Sequence, residues 1–365
     1  MSETGTPQMR AVSQDTAGGP EVLKVITTAR PVPGPTEILV RVHAAGVNPA
    51  DWKTRIDGRF LNGSEPPFVL GFDVSGVVEA VGPGVTLFEP GDKVFGMPHF
   101  PHPAGAYAEY VTAPARQFAR LPEGLDHVRG AALPLAALTA WQALVDTANV
   151  QPGARVLIHA AAGGVGHLAV QIAKSRGAYV IGTARRAKHD FLRGLGADEL
   201  IDYTEVDFAT AAGEVDVVLD TIGGDYGARS LRALRPGGSL VSILPLDEAF
   251  PADRAQEAGV RAVFVLVEPD RSGLQAVAGL VESGELTVNI DTVLPLEEAA
   301  KAHTLGETGR TTGKIVRDPP APTTTRPAAG RPPSSRRVRC DAPPGGPQRT
   351  RPRSAGLVPP AAGWR

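Results

Sequence analysis

The residues Val156-Leu157-Ile158-His159-Ala160-Ala161-Ala162-Gly163-Gly164-Val165-Gly166 place an apolar run, a turn of small residues and the start of an amphipathic pattern in direct succession. Ala161, Gly163 and Gly166 take the three small-residue positions of a G-x-G-x-x-G spacing, with alanine at the first. Such a turn must be tight, let its backbone approach a pyrophosphate, and let a helix pack close to a strand. The N–H groups at the start of that helix and the positive end of its dipole then hold the phosphates. Ala161, Gly163, Gly164, Val165 and Gly166 are therefore candidate contacts to a dinucleotide. A second apolar run, Tyr179-Val180-Ile181, continues as Gly182-Thr183-Ala184-Arg185-Arg186-Ala187-Lys188, with three cations and no carboxylate. A carboxylate at this place reads the ribose 2′-hydroxyl of NAD, whereas guanidinium forks suit a 2′-phosphate. NADPH is thus the expected cofactor, with Arg185 and Arg186 on its 2′-phosphate.

A turn of this kind needs a parallel sheet behind it. Short apolar runs at 156–158, 179–181, 199–201, 215–219, 239–244 and 262–266 alternate with helical patterns such as 164–175 and 186–195, as a doubly wound sheet requires. Residues before about Gly130 read instead as short strands between Gly and Pro turns, among them 37–42 and 74–81. The stretch 273–316 carries helices at 274–283 and 296–305 and a strand near Val293. The chain has 365 residues, 42% hydrophobic and 21% charged, which is enough for two domains of ordinary composition. A net charge of −2 gives no sign of nucleic acid or a membrane as partner. One cysteine, Cys340, allows no disulfide within the chain and suits a reducing, cytoplasmic setting. No run is apolar enough to span a bilayer, and the polar Met1–Gln8 reads as an extension. From Asp318 the composition turns to Pro, Arg, Ala, Thr and Gly, with nine arginines and two aspartates. This 318–365 segment is expected to be disordered. It reads as a solvated tail without a role, as translated non-homologous sequence, or as an arginine-rich contact to RNA or an acidic partner.

At this level of detail the chain resembles the zinc-independent quinone oxidoreductase and alkenal/enone oxidoreductase branch of the medium-chain dehydrogenase/reductase superfamily, to which zeta-crystallin belongs. The landmarks are Gly46-Val47-Asn48-Pro49-Ala50-Asp51-Trp52-Lys53, Gly71-Phe72-Asp73-Val74-Ser75-Gly76-Val77-Val78, Gly91-Asp92-Lys93-Val94, Leu133-Pro134 with Leu138-Thr139-Ala140, Asp220 to Gly224, Arg235-Pro236-Gly237-Gly238 and Gly313-Lys314-Ile315-Val316. The resemblance implies a Rossmann NADPH-binding domain (131–271) inserted into a GroES-like, β-rich catalytic domain (9–130 and 272–317), with the active site between them. It also implies a homodimer joined along the sheet edge near Ala262–Val267.

The resemblance assigns roles to further residues. Gly163, Gly164 and Val165 would meet the pyrophosphate, Arg186 the 2′-phosphate with Arg185 beside it, and Tyr203 the adenosine phosphate. Thr139 would lie near the nicotinamide. Leu244 would touch the cofactor and, with Phe60, Trp52, Met97 and Tyr107, the pocket. Asn48 and Phe72 stand where zinc-dependent relatives have Cys and His, so no metal is expected. Without a Lewis acid, hydride delivery to an already electrophilic acceptor is easier than alcohol oxidation. Quinones, enones and enals are the implied small-molecule substrates. Asn48 and Lys53 are the candidate catalytic residues that stabilise the resulting enolate, while Asp51 reads as a turn residue. Two other readings stay open: an enoyl reductase of polyketide or fatty-acid assembly, and a non-enzymatic NADPH- or RNA-binding protein.

Overall fold

The computed structural model describes residues 6–318 apart from 62, 65 and 245–251. Six strands form an all-parallel sheet in the spatial order Glu199–Ile201, Tyr179–Thr183, Arg155–Ile158, Val215–Asp220, Leu234–Ser242, Arg261–Phe264. Val156, Leu157, Ile158, Val218 and Leu219 are all fully buried, which is why these strands read as unbroken apolar runs. Strand order reverses between Arg155–Ile158 and Val215–Asp220, and in open α/β sheets that crevice is where ligands bind. The Gly166–Ser175 helix covers one face, burying Leu168, Ala169, Val170, Ile172 and Ala173 completely. Each such aliphatic burial contributes roughly 1.5–3 kcal/mol for the larger side chains.

A second, mainly antiparallel sheet has seven strands. Its path runs Ile290–Pro295, Lys314–Asp318, Glu37–Val47, Val74–Val81, Lys93–Gly96, Phe118–Arg120, and Tyr110–Pro114 also pairs with Glu37–Val47. The pairing of Lys314–Asp318 with Glu37–Val47 matches Ile315 to Val47 and Val316 to Gly46. It brings the residues on either side of this register, Lys314 and Asn48, together. Glycine is required at 46, where a Cβ would stand 2.4 Å from the Ala131 carbonyl oxygen and 2.7 Å from Asp73. A three-stranded sheet, Lys24–Ala29, Gln8–Gln14, Phe68–Val69, completes the β-rich part. One apolar cluster joins Phe72, Phe95, Met97 and Phe100 through Leu133 and Leu138 to Val156 and Leu168. The two large sheets therefore share a core beside the crevice between them.

Several sequence expectations shift. The helix expected from Gly164 starts at Gly166, because Gly163 to Val165 still belong to the turn, with the Gly163 N–H donated to the Ala160 carbonyl at 2.8 Å. The 186–195 helix divides into a 3₁₀ turn, Arg186–Lys188, and a helix, His189–Gly194. Asp318 is the last residue of a paired strand, not the first of a tail. The rest of the 318–365 segment, Cys340 included, lies outside the described residues. Among the described residues no helix is long and apolar enough to cross a membrane.

Candidate active site

The Arg155–Ile158 strand ends in His159-Ala160, and Ala160 turns the chain with φ +44°. A Cβ on Gly166 would lie 2.4 Å from the Ala160 carbonyl oxygen and 2.7 Å from the Ala161 Cα, so the helix can approach the strand only because residue 166 is glycine. Ala161 is buried behind the turn, its N–H donated to the Thr183 carbonyl at 3.0 Å. Gly163, Gly164, Val165 and Gly166 instead line a cavity of about 280 Å³. The turn is thus an open cradle at a helix N-terminus, the arrangement that fits a pyrophosphate.

The opposite wall of this cavity comes from Asn48 and Trp52 at the start of the Pro49–Asp57 helix, Leu135 of the Pro134–Trp141 helix, and Lys314 and Ile315 of the second sheet. Behind the wall lies a polar cluster with almost no exposure: Asn48 1%, Asp51 0%, Asp73 0%, Lys314 3%. The Asn48 Nδ2 donates to Asp73 Oδ2 at 2.7 Å, and the Lys314 ammonium donates to Asn48 Oδ1 and, at 3.1 Å, to the Val47 carbonyl. Lys314 Nζ lies 3.7 Å from Asp73 Oδ2, while Asp73 Oδ1 accepts the Leu135 N–H at 2.7 Å. Burial pushes Asp73 up and Lys314 down, and their mutual attraction opposes both shifts. Asp51 accepts the Asn48 N–H at 2.7 Å and the Tyr107 hydroxyl at 3.0 Å. Burial, chiefly, raises its carboxyl to about 7. Asp51 is therefore more than the turn residue expected from sequence: it is the buried anchor of the helix Pro49–Asp57.

A second cavity of about 630 Å³ meets the first along shared residues Ala160, Gly163, Gly309 and Thr311. Its walls carry Arg185, Lys188, Tyr203, Tyr226 and Arg310. Arg185 Nε donates to the Tyr203 hydroxyl at 3.2 Å, and Lys188 donates to Thr312 Oγ1. Arg186 does not line the cavity; its backbone N–H is held by Asp202 Oδ2 at 2.8 Å. Asp202 also accepts from Thr204 through both N–H and hydroxyl, and these bonds depress its carboxyl.

The structure gathers Asn48, Gly163, Gly164, Val165 and Gly166 at one cavity and Arg185, Tyr203 and Gly163 at the other. Thr139 lines neither; it is buried and donates its hydroxyl to the Leu135 carbonyl, 2.6 Å away. Leu244 packs against Gly223, beside the cavity residue Ile243. Lys53 is half-buried on the Pro49–Asp57 helix and is absent from the cavity wall, where Trp52 of the same helix stands. Of the other expected pocket residues, Met97 is core, Tyr107 belongs to the buried cluster, and Phe60 packs on Phe72 and Phe100. Sequence reasoning gave no role to Asp73, Lys314 or Arg310. Asp73 and Lys314 do lie inside two of the family landmarks, which was the one available signal.

Two family profiles match the chain: an alcohol dehydrogenase GroES-like domain over residues 34–123 and a zinc-binding dehydrogenase over residues 195–316. The chain is 36% identical over 314 residues to the quinone oxidoreductase of Pongo abelii, covering 82% of this chain and 94% of that protein. It belongs to the quinone oxidoreductase family of the medium-chain dehydrogenase/reductase superfamily. This oxidoreductase is also 38% identical over 313 residues to a 2-haloacrylate reductase of a Burkholderia species, 79% of this chain and 92% of that one. A mycocerosic acid synthase-like polyketide synthase of Mycobacterium tuberculosis shares 37% identity over 326 residues, and the chain spans only 15% of that much longer protein. Among solved structures, the quinone oxidoreductase from Coxiella burnetii superposes with a TM-score of 0.80 at 40% identity, over 86% of this chain and 99% of that one. A mycobacterial protein complexed with NADPH superposes with a TM-score of 0.76 at 33% identity, over 85% and 100% of the two chains.

The fold is the Rossmann sheet with a GroES-like β-rich part, and this oxidoreductase takes a nicotinamide cofactor. The glycine cradle fits that group. Zinc does not fit the residues present, despite the family description. The Asn48 carbonyl oxygen, the atom that could bind a metal, is taken by Lys314, and Phe72 sits in ring contact with Phe100 at 5.1 Å. Among the described residues no three His, Cys, Asp or Glu side chains gather as metal ligands.

Proposed function

We propose that this oxidoreductase is a zinc-free NADPH-dependent reductase of quinones or of the C=C bond of α,β-unsaturated carbonyl compounds. One observation carries the reading: two joined cavities, one walled by the glycine cradle and the Asn48 amide, the other by three cations. The second suits an adenosine 2′-phosphate, a dianion for which Arg185, Lys188 and Arg310 supply charge. The first is small and mostly apolar, as an enone or quinone ring requires. Residues 131–271 would be the cofactor domain and 9–130 with 272–317 the substrate domain.

When bound, the dihydronicotinamide supplies a hydride. Everything else falls to the chain. The Ala160–Gly166 turn and the Gly309–Thr311 loop hold the cofactor from opposite sides. Trp52, Leu135 and Ile315 exclude water from the acceptor. Asn48 donates an N–H to the acceptor oxygen, where negative charge grows as the hydride arrives; solvent then supplies the one proton that completes the two-electron reduction. The bond orders balance without an oxidant beyond the acceptor itself. The relatives support both acceptor classes, one being a quinone oxidoreductase and one a 2-haloacrylate reductase. A homodimer paired along the outer edge of the Arg261–Phe264 strand, the last of the sheet among the described residues, belongs to the same reading.

The test is the loss of NADPH absorbance with a short enal, a cyclic enone, a benzoquinone and a naphthoquinone, with NADH as control. A simple alcohol with NADP is the reverse control. Fast oxidation by enals, enones or quinones is expected. Turnover of the alcohol, or equal use of NADH, overturns the proposal. The polyketide synthase relative motivates one further arm, a carrier-bound enoyl thioester. Reduction of that substrate alone would assign the chain to assembly-line enoyl reduction.

A further inference from the structure

We infer that Asp73 and Lys314 form a positioning pair that sets the Asn48 amide so that one N–H of Nδ2 faces the substrate cavity. An asparagine amide has an acceptor end and a donor end, and which end faces a ligand decides whether it attracts or repels a growing negative charge. Here both ends are read by groups that cannot swap roles. The Lys314 ammonium only donates, so it takes Oδ1; an ionised Asp73 only accepts, so it takes Nδ2 at 2.7 Å. A flipped amide would set N–H against ammonium and oxygen against carboxylate. Nδ2 carries two N–H groups. Asp73 uses one, and Asn48 itself lines the cavity.

The pair is itself held. Asp73 Oδ1 accepts the Leu135 N–H at 2.7 Å, and Lys314 also bonds the Val47 carbonyl at 3.1 Å. The Lys314 stem runs under the phosphate turn, where a Cβ on Gly164 would stand 3.3 Å from its Cδ. Lys314 therefore touches the cradle with its stem and Asn48 with its head. A buried ion pair is costlier to form than an apolar packing of the same volume. Keeping one in this wall is accounted for by the orientation it imposes. The donor it presents carries no charge of its own, and neither charge need meet the substrate.

This inference rests on the reductase reading for its catalytic meaning, and the experiment separates the two. Lys314→Met, Asp73→Asn, Asn48→Ala and the double variant Lys314→Met/Asn48→Ala are compared in the full chain. The readouts are kcat and KM for an enone and a quinone, NADPH Kd by fluorescence titration, and the side-chain amide NMR signals of Asn48. Removing one donor to a developing oxyanion costs about 10²–10³-fold in rate. Lys314→Met should therefore lower kcat about 100-fold while NADPH Kd moves less than about threefold. The double variant should be no slower than Asn48→Ala alone, because one unit has been removed twice. Lys314→Arg, which keeps the cation, should recover part of the loss. A kcat for Lys314→Met within threefold of wild type overturns the inference, as do losses that multiply in the double variant. If wild type binds NADPH but turns over no acceptor, the reductase reading fails. The Asn48 amide signals then decide the positioning claim: unchanged shifts in Lys314→Met overturn it, and changed shifts uphold it. Should Lys314→Met not fold, Asp73→Asn carries the same readouts.

Discussion

The two cavities are built on opposite principles. The larger one recognises with exposed groups: Arg185 and Arg310 stand at the surface, and their partners are few. The smaller one acts with buried groups, where Asn48, Asp51, Asp73 and Lys314 each have two or more fixed partners. An exposed cation is hydrated and adaptable, so it contributes modestly and tolerates loss. A buried polar cluster is all or nothing, since an unpaired member costs the full desolvation of its group. Recognition and chemistry should therefore respond to mutation on different scales. The glycine turn that both cavities share should outrank either.

Gly166→Val gives the largest effect. Its Cβ would fall 2.4 Å from the Ala160 oxygen, where only backbone can move. The helix must shift off the strand, and NADPH binding should drop below detection by titration, together with all activity. Retained binding would mean that the cradle does not hold the cofactor.

The same turn was the most legible part of the molecule, for a physical reason. Strand, turn and helix follow each other within about twenty residues, so local spacing carries the geometry. The six-strand sheet was legible for the same reason, through runs such as 156–158 and 215–219. The Asn48 cluster was not. Lys314 and Asn48 are 266 positions apart, and only the pairing of Lys314–Asp318 with Glu37–Val47 joins them. Sequence offered Lys53 instead because the resemblance places a lysine after the Asn-Pro-x-Asp string. On a helix, neighbours in sequence face different directions. Arg310 escaped notice likewise, because it reaches the cofactor cavity from the last helix-to-strand loop rather than from the basic run at 185–188.

Acidification should separate the regions next. Burial first of all pushes His159 and His303 down to about 3 and His127 and His167 to about 4. Unfolded histidine titrates near 6.5. As pH falls below that value the unfolded chain takes up protons that the fold refuses, so these groups remove stability. Asp51, raised to about 7, has the opposite sign: between about pH 7 and 4 the fold holds a proton that the unfolded chain lacks. Asp73 adds to it in direction. The four histidines outnumber Asp51, so the net effect of acidification in this range is a loss of stability. The melting temperature should fall steeply between pH 6.5 and 5. Asp51→Asn should make that fall steeper by removing the opposing contribution. A flat melting curve over this range would show the histidines to be solvated in the fold.

Smaller effects belong to the exposed cations. Single replacements of Arg185, Lys188 or Arg310 by Ala should raise NADPH Kd by about three- to tenfold, as fits loss of about 0.6–1.4 kcal/mol each. NADH Kd should stay put, so the preference narrows without loss of kcat. Arg186→Ala should change neither, since Arg186 contributes only its backbone N–H, to Asp202. Loss of NADPH preference in Arg186→Ala, with none in Arg310→Ala, would move the phosphate site to the other side of the strand end.

Lys53 gives the smallest expected effect and the sharpest contrast. Its position in the Asn-Pro-Ala-Asp-Trp-Lys string makes it the natural choice as an anion stabiliser. Its surroundings do not. It is half-buried on the helix whose Trp52 faces the cavity, and its nearest charged influences are Arg59 and Asp57, not the Asp73–Lys314 pair. Burial, followed by Arg59, lowers its ammonium from the usual range, but Lys53 is not among the residues that line the Asn48 cavity. Lys53→Ala should therefore change kcat less than about threefold, against about 100-fold for Lys314→Met. Steady-state kinetics of both variants on one enone decides between them. A large loss in Lys53→Ala with little in Lys314→Met would place the working cation on the helix rather than in the sheet. The buried cluster would then be scaffold, and catalysis, like recognition, would rest on a cation reached from solvent.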